Sequence, residues 1–514
     1  METTAETTTR PPQGMTPRHW MVAAGGFMIM IAASVVLSGL SLLHPFIVGD
    51  MFTDETGNPA NGGQPAFLIY FTVLTITIVV TMMFAAGPLI AKFGPRVMLG
   101  VGSCIMGLGV LLFSFAPNPF MFYVAGAVIG MGYGLSQAPI PPVITTSWFE
   151  AKRGLVLGIV LSGSGVGGLL WSILSPRMAE SLGWRPTIMT MAIVLVTLSL
   201  IATVFLVRNT PADVGLLPYG AVPGENEEAH SQDPTKLPGF VLRDALRSPW
   251  FWLLALAFVL IGMIVSVTQV LAILLKVYTG ENISAFSLLL ATWTFTLILW
   301  KPLLGIINDK IGVIWMMAIT LGLMALGFLY LPQMSTAASG FGAMAMALPL
   351  MAMVCMSAGV SNATVAPPLV LRQSVGARDY SKLLSLGLSF YYIGNALGAP
   401  LWGTIQSVTG NYNLGLYAAP IILAVIVIFA LLAAKNGPKQ WTNPAPTTTT
   451  KTPLTDHDRR RRPGTSPAEV TGRRRRLIDC RSSGYRPSQA VEATTMAAVA
   501  SVRVGWMTGA NIGE

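Results

Sequence analysis

Long apolar runs separated by short polar segments make up most of the chain. A helix needs roughly 20 apolar residues to cross a hydrocarbon core of about 30 Å, and twelve runs reach that length. This pattern predicts an all-α membrane protein with twelve transmembrane helices. The predicted spans are residues 21–46, 66–90, 98–116, 120–145, 154–175, 187–207, 250–275, 284–307, 313–332, 341–366, 383–406 and 412–434.

The segments between the spans are short except at residues 208–249, which include the sequence ENEEAHSQDPTK. This segment divides the spans into two sets of six, so we expect two six-helix halves joined by a loop. The predicted regions are an N-terminal segment at 1–19, a first bundle at 20–207, a central loop at 208–249, a second bundle at 250–434 and a disordered basic tail at 435–514.

Lysine and arginine are concentrated on one side of the predicted spans, as is typical of the cytoplasmic side of a membrane. This places both termini and the central loop in the cytoplasm, and we expect a plasma (inner) membrane protein. The segments on that side hold Arg10, Arg18, Lys92, Arg96, Lys152, Arg153, Arg208, Lys236, Arg243, Arg247, Lys310, Arg372, Arg378, Lys382, Lys435 and Lys439. The opposite loops hold Arg177, Arg185 and Lys276.

The composition supports the membrane assignment, because 53% of the 514 residues are hydrophobic and 11% are charged, against about 25% charged residues in soluble domains. The net charge of +10 follows from the cytoplasmic loops and from the tail, which contains DRRRRPG and GRRRR. It gives no reason to expect a nucleic-acid partner. The tail lacks apolar periodicity, so we expect it to be disordered and dispensable. Attraction of the tail to anionic lipid is the alternative.

Patterns of catalysis and metal binding are absent from the sequence. A membrane enzyme needs a convergent nucleophile, base or metal ligands, whereas the 4 histidines and 3 cysteines are dispersed. A channel needs a filter motif or rings of like residues, and none is visible. We therefore expect a transporter without a cofactor or metal. A sensor with a transport fold, and a carrier of drugs or sugars, are the alternatives.

Three short sequences recur in the same order in the two halves. They are GPLIAKFGPR (87–96) with GIINDKIG (305–312), GLSQAPIPP (134–142) with GVSNATVAPP (359–368), and GSGVGGLLW (163–171) with GNALGAPLW (394–402). Parallel repeats of this kind are typical of transporters whose site lies between the two halves.

The six-plus-six layout and the loop motif G-x-x-x-D-[RK]-x-G resemble the major facilitator superfamily of secondary transporters. The resemblance implies the major facilitator fold and a conformational role for the loop motif. The second copy consists of Gly305, Asp309, Lys310 and Gly312, and the first copy of Gly87, Lys92 and Gly94, with Ala91 at the position of the aspartate.

Two longer stretches are similar to the monocarboxylate transporter and oxalate–formate antiporter branch of that family. They are SWFEAKRGLVLGIVLSGSGVGG (147–168) and SPWFWLLALAFVLIGM (248–263). In this branch a cation commonly precedes a proline in span 8, and the sequence WKP (300–302) matches that position. The resemblance implies that Lys301 binds an anion.

Lys301 also stands out by its charge alone. It lies well inside predicted span 8, where no aspartate or glutamate of any span can neutralise it. A charge at the membrane centre costs roughly 2.5 kcal/mol or more, and a substrate carboxylate would offset that cost. The alternative is snorkelling, because Lys301 precedes Asp309 by about 12 Å along a helix and its long stem can reach towards the interface.

Further candidates for the substrate site are polar or aromatic side chains inside the spans. An amide can bind a carboxylate, but it can equally join two helices. These candidates are Tyr133, Gln137, Asn362, Tyr391, Tyr392 and Asn395. We also expect kinks in spans 4 and 10, because proline removes a helical hydrogen bond; the prolines are Pro139, Pro141, Pro142, Pro367 and Pro368.

The absence of other intramembrane charges bears on the substrate and on coupling. The oxalate–formate branch carries a second cation in span 11, but SFYYIGNALGAPLW has none, so a single carboxylate is favoured. Protons, if they move, ride on Lys301, on His44 or on the substrate. Proton symport is slightly preferred over anion exchange. His44 is otherwise an ordinary interface residue at the end of span 1.

Overall fold

A computed structural model of the protein describes residues 13–52, 63–222, 237–279, 283–333 and 342–442. In these ranges the chain is almost entirely helical and forms twelve long helical segments. Ten of the described helices are long and apolar enough to cross a membrane. The sequence ENEEAHSQDPTK and the basic runs of the predicted tail lie outside the described residues.

The first half contains segments α1 to α6. Three of them include a π-helical turn, at Val35–Gly39 in α1, Met82–Ala86 in α2 and Ala202–Leu206 in α6. The helices are Pro17–Ser34, Leu40–Leu42 and His44–Met51 in α1; Gly63–Thr81 and Gly87–Phe93 in α2; Pro95–Ser114 as α3; Pro119–Leu135 and Ile140–Trp148 in α4; Arg153–Leu182 as α5; and Trp184–Ile201 in α6.

The second half contains segments α7 to α12 and is preceded by a short helix, Leu242–Arg247. The helices are Pro249–Val265 and Val267–Thr279 in α7; Ile283–Ile311 as α8; Val313–Tyr330 as α9; Gly342–Val375 as α10; Tyr380–Thr409 as α11; and Asn413–Thr442 as α12. Several helices of both halves begin with proline, whose fixed φ suits the first helical position and whose missing N–H is not needed there.

Several helices extend beyond the predicted spans, because helical hydrogen bonding continues after the apolar run has ended. The last helix continues to Thr442, so the predicted tail starts with helical residues. The predicted N-terminal segment at 1–19 likewise enters α1, which begins at Pro17. There His19 is fully buried, and its ring nitrogens lie 2.7 Å from Thr16 Oγ1 and 3.2 Å from Leu217 O.

The proline pairs have different effects in the two halves. Segment α4 is interrupted between Leu135 and Ile140, where Pro139 cannot donate a helical hydrogen bond. Segment α10 stays helical across Pro367 and Pro368. Helical hydrogen bonding is therefore interrupted beside the prolines of α4, while α10 continues as one helix, and the kinks expected in both spans stay a prediction.

Glycines pack equivalent helix pairs in the two halves. A Cβ at Gly163 in α5 would overlap with Phe27 O of α1, and a Cβ at Gly394 in α11 would overlap with Val259 O of α7. Such close approach of two backbones requires glycine. The repeated sequences GSGVGGLLW and GNALGAPLW therefore have the same packing role, as expected for pseudo-symmetric halves.

The two halves meet where α2 and α8 finish, which we call the Asp309 end of the bundle. The backbone of Gly305 in α8 lies directly against Gly154 of α5, and Gly87 of α2 lies directly against Lys382 of α11. Added side chains at these glycines would overlap with backbone atoms of the other half. The halves are therefore in close contact at the Asp309 end.

Candidate functional site between the two halves

Lys301 of α8 lies at the contact between the two halves. Its side chain is 8% exposed, and its Nζ donates to Leu161 O at 3.1 Å and to Ser164 Oγ at 2.7 Å, both on α5. Within the described part of the chain no carboxylate pairs with it. Since an ammonium has three N–H donors, one donor is available to a ligand.

The side chain of Lys301 points away from the Asp309 end. The backbone of Lys301 lies beside Gly158 of α5, whereas its Nζ reaches Leu161 and Ser164. These two residues lie further along α5 from its start at Arg153. Snorkelling towards the Asp309 end therefore does not describe this conformation, because the amine extends towards the middle of the bundle.

Tyr133 and Tyr392 form a second contact between the halves, and Tyr391 packs against Tyr392. The hydroxyl of Tyr392 in α11 donates to the hydroxyl of Tyr133 in α4 at 3.4 Å. The rings of Tyr391 and Tyr392 pack edge to face, with centroids 5.3 Å apart. Tyr133 is 4% exposed. These side chains join α4 to α11 as Lys301 joins α8 to α5.

The three predicted amides have different environments. Gln137 is buried and donates to Ser103 Oγ of α3 at 3.1 Å. Asn362 of α10 lies in a small cavity inside the second half, among side chains such as Phe258 and Met317. Asn395 of α11 is half-buried, and its backbone lies beside Gly262 of α7. Gln137 and Asn362 thus contact residues of their own halves and do not join the contact between them.

His44 lies within the first half, and its Nε2 lies 2.6 Å from the hydroxyl of Tyr70 in α2. Its ring packs edge to face against Phe67 and Tyr70, with centroids 5.2 and 5.7 Å away. The structure thus places His44 in an aromatic cluster of the first half, whereas Lys301 lies between the halves.

The two copies of the loop motif have different partners. Asp309 accepts from the backbone N–H groups of Gly154 at 2.8 Å and Leu155 at 2.9 Å. A carboxylate at a helix N-terminus is stabilised by the helix dipole, so this bond holds α8 of the second half to α5 of the first. Ala91 in the first copy has no side-chain acceptor to offer to α11.

The remaining residues of the motif shape the turns that follow α2 and α8. Gly94 and Gly312 adopt φ values of +82° and +85°, which favour glycine. Lys92 Nζ lies 5.1 Å from the ring centroid of Phe93, and Lys310 is exposed. These side chains therefore stay near the surface, and the glycines provide the tight turns.

Ser164 and Asp379 were not among the residues predicted from the sequence. Ser164 lies among the glycines of α5. Asp379 accepts from Leu242 N at 2.8 Å and from Lys382 Nζ at 2.9 Å, so it joins the central loop to the start of α11. The signal for Ser164 was its place in the glycine-rich run of α5, but Ser162 lies in the same run, so the sequence did not distinguish the two serines.

The sequence model of the Major Facilitator Superfamily matches residues 22–282 and 260–478. The chain belongs to this family of membrane transporters. Two solved structures have the same fold. A crystal structure of the transporter FucP in the outward conformation covers 81% of this chain and 98% of its own, with a TM-score of 0.57 and 14% identity. The proton:xylose symporter XylE covers 83% and 95%, with a TM-score of 0.56 and 15% identity.

The curated relatives are distant and diverse. The agnestins efflux protein AgnL12 of Paecilomyces divaricatus is 20% identical over 84% of this chain and 92% of its own length. The transporter hasB of Aspergillus fumigatus is 24% identical over 84% and 92%. Human monocarboxylate transporter 6 is 28% identical over 31% of each chain. The family is thus established at the level of membrane transport of small solutes.

Proposed function

We propose that the protein is a secondary active transporter of a small organic anion, a monocarboxylate, that works by alternating access. In this proposal it lies in the plasma (inner) membrane with both termini in the cytoplasm. The observation that carries the proposal is the environment of Lys301, whose described partners are two uncharged oxygens. A buried charge without a counter-ion is costly, so a substrate carboxylate would stabilise this site when it binds.

The position of Lys301 suits alternating access as well as binding. Lys301 belongs to α8 of the second half, and its amine donates to α5 of the first half. In this proposal the amine thus lies where the two halves move against each other. A carboxylate that takes the free N–H donor would contact both halves through Lys301 and Ser164. The tyrosine contact between α4 and α11 is proposed as a second wall of the same site, with Asn395 one turn further along α11.

The coupling that we favour is proton symport. Burial disfavours the charged form of a lysine, whereas an arriving carboxylate favours it. Protonation of Lys301 and binding of the anion would then reinforce each other, and one proton and one monocarboxylate would cross together. A permanently charged Lys301 would instead favour exchange of one anion for another.

We expect purified protein in anion-free proteoliposomes to accumulate a labelled monocarboxylate when an inward proton gradient is applied. Collapse of this accumulation by a protonophore supports symport. Uptake confined to vesicles that were preloaded with a carboxylate would reject symport in favour of exchange. Absence of carboxylate uptake under both conditions would reject the anion transporter itself, and a screen for ligands that stabilise the protein thermally would then identify its substrate class.

Ser164 provides a test of the geometry around Lys301. Ser164→Ala removes one oxygen that orients the amine, so we expect the KM for the anion to rise about three- to tenfold with kcat largely retained, because one hydrogen bond contributes on the order of 1 kcal/mol. Ser164→Thr keeps the hydroxyl and should restore most of the affinity.

Ser162→Ala is the matched control for this test. Ser162 lies on the same helix, is buried, and donates to Ile159 O of its own helix. We expect its removal to leave the KM near the wild-type value. Equal KM values for the two alanine variants would show that Ser164 does not position Lys301.

A carrier that exports larger organic molecules is the second candidate. It is favoured by the relatives AgnL12 and hasB, which align over most of their length, whereas monocarboxylate transporter 6 aligns over 31% of its own. For such a carrier the tyrosine contact would bind apolar rings, and Lys301 would be less important. Transport of apolar compounds that persists without Lys301 would favour this candidate.

A further inference from the structure

Three arginines lie together around the end of α6, at the Asp309 end of the first half. Arg18 belongs to the start of α1, Arg96 to the start of α3, and Arg208 follows α6. Burial first, and then the positive charges of Arg208 and Arg96, lower the pKa of Arg18. Arg96 and Arg208 are themselves neighbours, because both donate to Val204 O at 3.0 Å.

Uncharged oxygens hold two of these arginines in place. Arg96 donates from Nε to Thr203 O at 2.8 Å and from Nη2 to Val204 O at 3.0 Å. Arg208 donates from Nη1 to Val204 O at 3.0 Å and to Val207 O at 2.9 Å. Arg18 Nε is buried without a partner among the described residues. A guanidinium has five N–H donors, so several donors are free.

In the part of the chain that the structure describes, none of the three arginines pairs with a carboxylate. The cluster thus combines three like charges, unused donors and no described counter-ion. Such an arrangement is stabilised by an anion that accepts several N–H groups at once, as a phosphate does.

An apolar groove runs from this cluster along the surface between α3 and α6. It is lined by Val97, Gly100, Val101, Cys104 and Thr203, and Arg96 lies at its mouth. From Val97 to Cys104 the groove follows α3 for about 10 Å. Gly100 lies in the wall of this groove, and a Cβ at this position would make an ordinary contact with Thr203 Cγ2 at 3.4 Å.

The groove faces the surface that the membrane covers. Val97 and Val101 are 49% and 45% exposed, and Phe205 on α6 is 64% exposed. Large apolar side chains are exposed to this extent along helices that contact lipid. A lipid tail can therefore enter the groove from the bilayer while its headgroup stays at the level of the arginines.

We propose that this groove binds an anionic glycerophospholipid, whose phosphate contacts Arg18, Arg96 and Arg208 and whose acyl chain lies along Val97, Gly100 and Val101. Charge complementarity selects an anionic headgroup, and the apolar lining selects a lipid rather than a free anion. Basic residues at the cytoplasmic surface attract anionic lipid in general, and the groove adds a defined place for the tail.

The test uses the full chain in nanodiscs of phosphatidylcholine and phosphatidylglycerol, with bound lipids counted by native mass spectrometry after extraction. We expect the wild type to retain phosphatidylglycerol in preference. The pair Arg18→Gln with Arg208→Gln should reduce that preference at least about fivefold, because two basic contacts are lost. The control pair Arg243→Gln with Arg247→Gln changes the same charge at exposed positions of the same end and should leave the preference unchanged.

Gly100→Leu tests the tail without any change of charge. Leucine would fill the groove, so we expect the preference for phosphatidylglycerol to fall even though all three arginines are present. This variant also decides the question if the arginine pair fails to fold. Equal loss in the test and control pairs, or an unchanged preference in Gly100→Leu, would overturn the proposal. Displacement of the lipid by inorganic phosphate would assign the arginines to a free anion and would overturn it as well.

Discussion

Lys301→Ala is expected to abolish saturable uptake of the carboxylate while the protein still folds and reaches the membrane. The change removes the proposed counter-charge of the substrate. It also leaves Ser164 Oγ without the donor that now lies 2.7 Å away. Loss of one member of a buried charge pair typically reduces affinity by roughly a hundredfold or more. Uptake kinetics in proteoliposomes provide the measurement.

Two further variants separate charge from packing. Lys301→Arg keeps the charge in a larger and more rigid group, so we expect part of the uptake to remain. Lys301→Met keeps most of the volume without the charge and should be as inactive as Lys301→Ala. Lys435→Ala removes an exposed lysine and serves as the control. Normal uptake by Lys301→Ala would contradict the proposed function.

The fold could be predicted from the sequence because the membrane imposes a strong length rule. Each membrane helix must satisfy its backbone hydrogen bonds within its own segment, so the apolar runs alone indicated the twelve segments. The long polar loop at 208–249 divided them into two sets of six. The ends were less accurate, as α12 shows by continuing to Thr442. Helices end where hydrogen bonding and capping end, and hydropathy does not report on these.

The candidate site was only partly predictable. Lys301 could be singled out because a lone charge in an apolar span is visible in the sequence. Its partner Ser164 could not, because the rotation of α5 about its axis decides which of its small residues face α8. The partner of Gln137 could not be predicted for the same reason, because the sequence does not show which way a helix face is turned. This amide could bind a substrate or another helix, and in the structure it donates to Ser103 of α3.

Asp309→Asn is expected to weaken closure of the bundle at the Asp309 end. The carboxylate accepts two backbone N–H groups at the start of α5, and the helix dipole adds to these bonds. The neutral amide offers one acceptor oxygen and no charge, so the closed state loses about 2 kcal/mol. This corresponds to roughly a thirtyfold shift in the ratio of closed to open molecules.

Spin labels at the exposed positions Lys92 in the first half and Lys435 in the second half allow this shift to be measured as a change in the distance distribution of a cysteine-free background. Asp379→Asn is the matched control. Its carboxylate lies at the same end and also accepts a backbone N–H, but its partners Leu242 and Lys382 belong to the second half and the adjoining loop. Opening of the Asp309 end would increase the distance between the two spin labels. If this increase is seen in Asp309→Asn and not in Asp379→Asn, then the bond between α8 and α5 holds the end closed. Identical distributions in the two variants would show that glycine packing at Gly154 and Gly305 is sufficient for closure without Asp309.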